Sequence, residues 1–300
     1  MEKLFQMLAE MTPGRALKNE PMSAHTTFKV GGPADVCFFP ESEAELINAM
    51  RAAKESGAPC LVMGNGSNMI VRDGGIRGLV IILGSGMSRI DINGTHMACQ
   101  AGAPLAKVSA AAMEASLTGL EFASGIPGTL GGGVAMNAGA YGGELSQVLT
   151  CARVLRDGVI MEYSRAEMEM GYRTTRPLRE GSIVLSAEFE LKNGDRAVIS
   201  ETMRDLNARR RDKQPLNFPS AGSVFKRPEG YFAGALIEQA GLKGTCVGGA
   251  MVSTKHAGFI VNAGGATASD VISLIETVQE RVMERFGVAL ETEVRIAGED

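Results

Sequence analysis

The sequence has no run of 18 apolar residues, so no part of it reads as a membrane-spanning helix. Its start, MEKLFQMLAEMTPG, reads as an amphipathic turn or two and lacks the apolar core and small-residue cleavage site of a secretory signal. There is no CxxC, no HExxH and only three histidines, so no metal site is expected. The five cysteines (Cys37, Cys60, Cys99, Cys151, Cys246) are odd in number and widely spaced. They read as buried free thiols of a reducing cytoplasm. Basic charge is not in excess either. The formal net charge is −4, the pI is near 5.6, and cations cluster only at Arg209, Arg210, Arg211 and Lys213. A nucleic-acid surface is therefore set aside.

What is present is ordinary globular composition, 45% hydrophobic and 21% charged over 300 residues, enough for two or three domains. SEAE (42–45) reads as a capping box, with Ser42 as cap and Glu45 reaching back. The helix after it stops at Gly57, and the strands APCLVMG and GLVIIL follow, suggesting a small βαβ unit. Hairpins are expected at Asn93-Gly94 and Asp157-Gly158, and a helix with Pro104 in its first turn between them. SIVLSAEFEL is the next strand. A long charged helix then runs to Pro215, followed by a strand SVFK, a helix FAGALIEQAG, strands AMVS and GFIVN, a helix SDVISLIETVQERVMERFG and a closing strand LETEVRIAG. A domain boundary is expected near residues 194–200.

The stretch SGIPGTLGGGVAMNAGAYGG, from Ser124 to Gly143, has eight glycines in twenty residues. Glycine costs roughly 0.5–1 kcal/mol per position inside a helix or strand, so this run should make neither. It carries Ile126, Leu130, Val134 and Met136, too apolar for a floating linker. Dense glycine lets backbone approach a ligand closely and point N–H groups at an anion; a long surface loop is the plain alternative. A second cluster, GNGSN (64–68), follows directly on the strand CLVM. Known nucleotide fingerprints fail: there is no GxxxxGK[ST], and GSGMSR (84–89) has Arg89 where GxGxxG needs glycine, with a hairpin after it.

GNGSN ahead of GIPGTLGGGVAMNAGAYGGE, the early NEPMSAHTTFKVGGPAD, and the later AGSVFKRP and LETEVRIAG together resemble the UDP-N-acetylenolpyruvoylglucosamine reductase family, also called UDP-N-acetylmuramate dehydrogenase. The resemblance covers nearly the whole chain. It implies an α+β fold: an FAD-binding domain of the vanillyl-alcohol-oxidase type, built from two α+β subdomains (1–83 and 84–195), plus a smaller C-terminal α+β substrate domain (196–300). FAD would be held by Gly64, Asn65, Gly66, Ser67 and Asn68 and by Ser124, Gly125, Pro127, Gly128, Thr129, Asn137, Ala138, Gly139 and Ala140. Neither His nor Cys occurs between Ser124 and Gly143, so the FAD is expected to be non-covalent.

The resemblance further implies a cytoplasmic two-stage reductase of peptidoglycan precursor synthesis. NADPH reduces FAD and leaves; UDP-N-acetylglucosamine enolpyruvate then takes a hydride at its CH₂ carbon, passes through an enediolate-like intermediate and is protonated to UDP-N-acetylmuramate. Ser223 in AGSVFK matches the proton donor. Arg173 in GYRTTRP and Glu293 in LETEVRIAG match the groups that stabilise the intermediate, and Thr175 stands where the family often has serine. Lys213 and Lys226, and more weakly Arg210 and Tyr141, are expected to bind substrate, and His256 is read as structural. No obligate protein partner is evident. The short chain between Arg227 and Glu293, with Tyr231 alone, places the sequence in the subclass without the tyrosine loop. Two other readings stay open: a non-catalytic flavin or UDP-sugar binder, and a flavin oxidase of small alcohols.

Overall fold

Alternating apolar residues between Ile90 and Glu190 build the largest sheet. Its five strands lie in the order Val159–Ser164, Leu149–Arg156, Ile183–Glu190, His96–Gln100, Ile90–Asn93, and every neighbouring pair is antiparallel. At the first hairpin Asp157 (φ 52) and Gly158 (φ 83) are both left-handed, as a type I′ turn requires, and Arg156 pairs with Val159. The other hairpin turns one residue later than expected. Asn93 is already paired with His96, and Gly94 (φ 60) takes the left-handed place. The register stacks Ala152, Ala187 and Cys99 in one row, all of them core residues. Leu105 and Val108 of the helix Leu105–Glu114, and Leu130 and Val134 of a short helix Leu130–Ala135, join the same core.

That short helix corrects the expectation of a wholly irregular glycine run. Gly131 and Gly133 sit in it because side chains there would collide. A Cβ on Gly131 would lie 2.9 Å from Ala101 Cβ, and one on Gly133 would lie 2.8 Å from Leu105 Cδ1. Part of the run's glycine content therefore serves protein packing alone.

In the computed structural model, which describes all 300 residues, the chain divides into two units made of interleaved segments. The first comprises Met1–Leu17, Cys37–Asn65 and Leu79–Arg210, and the second Lys18–Val36, Gly66–Gly78 and Arg211–Asp300. The charged helix Arg196–Lys213 accordingly belongs to the first unit as far as Arg210. Also in the first unit, Cys60–Met63 pairs in parallel with the C-terminal part of the strand Ile76–Ile82, and the helix Glu43–Glu55 precedes Cys60 in sequence. Ser42 caps that helix by accepting from the Glu45 N–H, but Glu45 does not return to the cap. Its carboxylate accepts from the Glu41 N–H and pairs with Arg15, because the arginine is the stronger partner.

In the second unit the helix Ala268–Phe286 lays Val271, Leu274, Ile275, Val278 and Val282 into a core with Val252 and Ile260 of a three-stranded sheet. Two expected strands differ. SVFK forms only an isolated bridge, Phe225 to Thr292. LETEVRIAG is strand only over Arg295–Ala297, which pairs in parallel with Met69–Val71. Glu291 and Glu293 lie ahead of it, where the backbone bonds to 224–226.

Candidate active site

The first unit brings Gly64 and Asn65, the start of the GNGSN cluster, against the glycine run. Gly64 and Asn65 follow directly on the strand Cys60–Met63. The Asn65 side-chain amide donates to the Pro127 carbonyl at 3.0 Å. Gly64 lies so close to Thr129 that an added Cβ would stand 2.0 Å from its Oγ1. Gly128 accepts from the Leu105 N–H at 3.0 Å, anchoring the loop to the start of the helix Leu105–Glu114. Asn207, on the charged helix, donates to Ser124 Oγ at 3.2 Å. Gly125 leaves room for Asn207 and Arg210, which a Cβ would meet at 2.7 and 3.0 Å. Burial holds the Arg210 guanidinium below its ordinary pKa, and Tyr141 pulls the other way. A partly desolvated cation, a serine hydroxyl and bare backbone thus share one place, as an anion site requires.

Arg173 stands at the tip of a tight turn in which Gly171 and Thr174 pair across. Its φ of 55 is left-handed, a conformation that arginine rarely adopts. Its guanidinium approaches the Gly139 carbonyl at 3.5 Å and lies over the Tyr172 ring at 5.2 Å. The turn is bound to the glycine run from both sides. The Asn137 amide donates to the Gly171 carbonyl at 3.1 Å, and Thr175 Oγ1 donates to the Ala135 carbonyl at 2.8 Å. Asn137 Oδ1 also accepts from the Ser146 N–H, and the Asn137 N–H donates to the Val134 carbonyl at 3.1 Å. The backbones of Ala138, Gly139 and Ala140 are likewise engaged, Ala138 with Gly133 and the other two across a short hairpin with Glu144 and Gly143.

The second unit assembles the rest. The segments 223–226 and 291–294 run side by side. The Glu293 N–H donates to the Val224 carbonyl at 2.7 Å, and the Lys226 N–H donates to the Glu291 carbonyl at 2.8 Å. Ser223 is exposed, next to Gly222, whose φ of 76 makes the turn into this segment. The Asn68 amide donates to the Glu293 carbonyl at 3.1 Å, and its own carbonyl accepts from the Arg295 N–H at 3.0 Å. Gly66 (φ 58) and Ser67 lead into Asn68, and the Gly66 carbonyl accepts from the Thr27 N–H. Lys226 is not an isolated cation: its ammonium is 3.0 Å from the Glu291 carboxylate. Lys213 is exposed. Burial lowers the pKa of His256, and the charges of Lys243 and Lys213 add to the effect. Its Nδ1 accepts from the Gly258 N–H at 3.1 Å.

Residues 214–297 match the family described as UDP-N-acetylenolpyruvoylglucosamine reductase, C-terminal domain, and residues 34–164 match the FAD binding domain family. The UDP-N-acetylenolpyruvoylglucosamine reductase of Alkaliphilus oremlandii is 51% identical over 99% of both chains. The chain belongs to the UDP-N-acetylenolpyruvoylglucosamine reductase family. The reductase of Pediococcus pentosaceus is 52% identical over 98% of this chain and 99% of its own. The crystal structure of the Thermus caldophilus reductase superposes with a TM-score of 0.80 at 36% identity, covering 94% of this chain and 97% of that one. Alkyldihydroxyacetonephosphate synthase shares the fold over 64% of this chain, with a TM-score of 0.50 at 15% identity.

The cradle's own chemistry suits the FAD of this family. Neither Gly64–Asn68 nor Ser124–Gly143 contains an acidic residue, so nothing in them repels a diphosphate. Cys99 is buried and its thiol is pushed up to about 12, first by burial and then by Asp91. Sequence reasoning missed Asn207 and the tying role of Thr175. The signal for Asn207 was its spacing, one helical turn before Arg210 on the same face.

Proposed function

We propose that this chain reduces UDP-N-acetylglucosamine enolpyruvate to UDP-N-acetylmuramate with NADPH, through a non-covalently held FAD. The observation that supports the reading is the backbone pairing of 223–226 with 291–294, which brings the segment carrying Ser223 alongside the segment carrying Glu293 within the stretch matched to the family's C-terminal domain. When bound, FAD accepts a hydride from NADPH and delivers it to the CH₂ carbon of the enolpyruvyl double bond. The electron pair of that bond moves into the carboxylate. Arg173 is the fixed cation for the growing charge, and its planar fork suits a carboxylate. Ser223 Oγ gives its proton to the α-carbon, completing the lactyl ether. A serine can do this because the enediolate-like intermediate is strongly basic. Glu293 polarises the intermediate from the neighbouring segment.

In this reading residues 1–195 serve chiefly the FAD and 196–300 the substrate. Lys213, Lys226, Arg210 and Tyr141 receive the substrate's anionic groups, with Lys226 exchanging Glu291 for a phosphate oxygen. The product enters peptidoglycan synthesis, so we place the enzyme in the cytoplasm and expect its loss to affect cell shape and division. Ser223→Ala tests the assignment in separated half-reactions. NADPH should bleach the flavin at the wild-type rate, while reoxidation by the enolpyruvyl sugar should slow by about 10²-fold or more. Normal turnover in this variant would remove Ser223 as the acid.

A further inference from the structure

We infer that the side chain of Asn68 is a positioning group for Glu293, so that the last residue of GNGSN serves the proton and charge chemistry of the second unit. The inference rests on the part proposed above for Glu293 in polarising the intermediate.

Glu293 lies where its segment changes partner. From Arg295 to Ala297 the chain pairs in parallel with Met69–Val71, and the Arg295 N–H donates to the Asn68 carbonyl at 3.0 Å. Two residues earlier the Glu293 N–H turns instead to the Val224 carbonyl at 2.7 Å. The Glu293 carbonyl is met by a side chain: the Asn68 amide donates to it at 3.1 Å. A carbonyl only accepts, so the nitrogen of that amide is the atom that faces it. The peptide planes on either side of the Glu293 Cα are thus both held, one next to Ser223 and the other by Asn68. Those two planes fix φ and ψ of Glu293, and with them the direction of its Cα–Cβ bond. The loop that delivers Asn68 has anchors of its own. The Gly66 carbonyl accepts from the Thr27 N–H at 3.4 Å, and Thr27 Oγ1 donates to the Ser220 carbonyl at 2.7 Å. Removing the Asn68 amide therefore frees the Glu293 carbonyl and leaves the loop tied. All of these contacts lie within the second unit.

Asn68→Ala and Asn68→Asp are measured by stopped flow in the FAD-loaded enzyme, each alone and combined with Glu293→Gln. Asn68→Asp keeps the shape of the side chain but not the donor, so it carries the test if Asn68→Ala does not fold. Flavin reduction by NADPH and the FAD Kd should stay at their wild-type values, while reoxidation by UDP-N-acetylglucosamine enolpyruvate should slow about tenfold or more in both variants. With Glu293→Gln already present, neither substitution should slow reoxidation further, because a residue that acts through Glu293 has nothing left to place. With Glu293→Gln slow, the inference alone falls if the Asn68 variants reoxidise like wild type, if the losses multiply in the double variants, or if FAD affinity or flavin reduction falls by the same factor, which would make Asn68 a cofactor ligand. Wild-type reoxidation in Glu293→Gln would remove the proposed part of Glu293 and the inference with it.

Discussion

Replacing Gly64 by alanine isolates the contact that joins the two glycine clusters. The new Cβ would stand 2.0 Å from Thr129 Oγ1, 3.1 Å from its Cβ and 3.2 Å from its Cγ2. Rotating the threonine does not fully relieve this, because its own Cβ stays 3.1 Å from the new atom whichever group turns away. Thr129 is 3% exposed and begins the helix Leu130–Ala135, so it cannot swing into solvent. The loops must part instead. Overpacking of this kind costs about 1–3 kcal/mol. Gly64 is not left-handed, so alanine adds no backbone strain, and a stiffer unfolded chain returns about 0.4–1 kcal/mol. The net loss is about 1–2 kcal/mol, at about 2–4 °C of Tm for each kcal/mol. Where the parted loops are the FAD site, the FAD Kd should rise about tenfold for every 1.4 kcal/mol that reaches binding. The assay is a thermal melt of the apo and FAD-loaded forms together with a flavin-fluorescence titration. Thr129→Ala on the same chain removes Oγ1 and Cγ2 and leaves only the 3.1 Å contact with Cβ, so the double variant should regain most of what Gly64→Ala loses. Wild-type FAD affinity in Gly64→Ala, or no recovery in the double variant, would refute the reasoning.

Two further outcomes are expected. Asp73 accepts from the Ala268 and Ser269 N–H groups at 2.8 and 2.9 Å and from the Ser269 hydroxyl at 2.6 Å, at the start of the helix Ala268–Phe286. Burial pushes its carboxyl up, but these bonds outweigh burial and hold it below its ordinary value. A depressed folded-state pKa stabilises above the unfolded pKa of about 3.9, and the effect is lost as pH falls through the lower folded value. Asp73→Asn should therefore cost about 0.5–1 kcal/mol near neutrality, kept small by solvent exposure, and its melting deficit should vanish in acid. A deficit unchanged down to pH 3 would show that the Asp73 charge does not hold the start of this helix (pH 3 being about one unit below the ordinary carboxyl value). Asn207→Ala releases Ser124, and the FAD Kd should rise several-fold while the rate at saturating FAD and substrate stays at the wild-type value. A fall in that rate would give Asn207 a part in the chemistry.

How much of this was legible in the sequence depended on how local the signal was. Asp157-Gly158 fixes its own turn, and the period of Val271 to Val282 fixes its own helix, so both stood in the sequence and in the structure. SVFK failed as a strand because its bonds go to partners far away in sequence. Val224 accepts from Glu293, while its N–H donates to the Gly258 carbonyl. No window of neighbouring residues contains that choice. The glycine run was half legible. Its density announced close approach but not of what to what, and Gly131 and Gly133 approach the protein itself. In the sequence Thr175 is only a threonine where the family often has serine. In the structure it caps the helix Arg176–Glu180 and reaches the Ala135 carbonyl, a pairing that requires the folded chain.

That pairing bears on how the active site is built. Arginine in the left-handed region costs on the order of 1–3 kcal/mol. The bonds from Asn137 to Gly171 and from Thr175 to Ala135 contribute roughly 1 kcal/mol each and can offset it. Both run to the helix Leu130–Ala135 or its immediate continuation. The strained arginine is therefore held by the same glycine-run backbone that we propose as the flavin cradle, and the two cannot be loosened independently. A change that spreads the cradle also releases the turn that aims Arg173, so losses of FAD affinity and of charge stabilisation should rise together among cradle variants. Changes in the 223–226 and 291–294 segments touch neither anchor, which is why separated half-reactions can resolve proton donation from flavin binding.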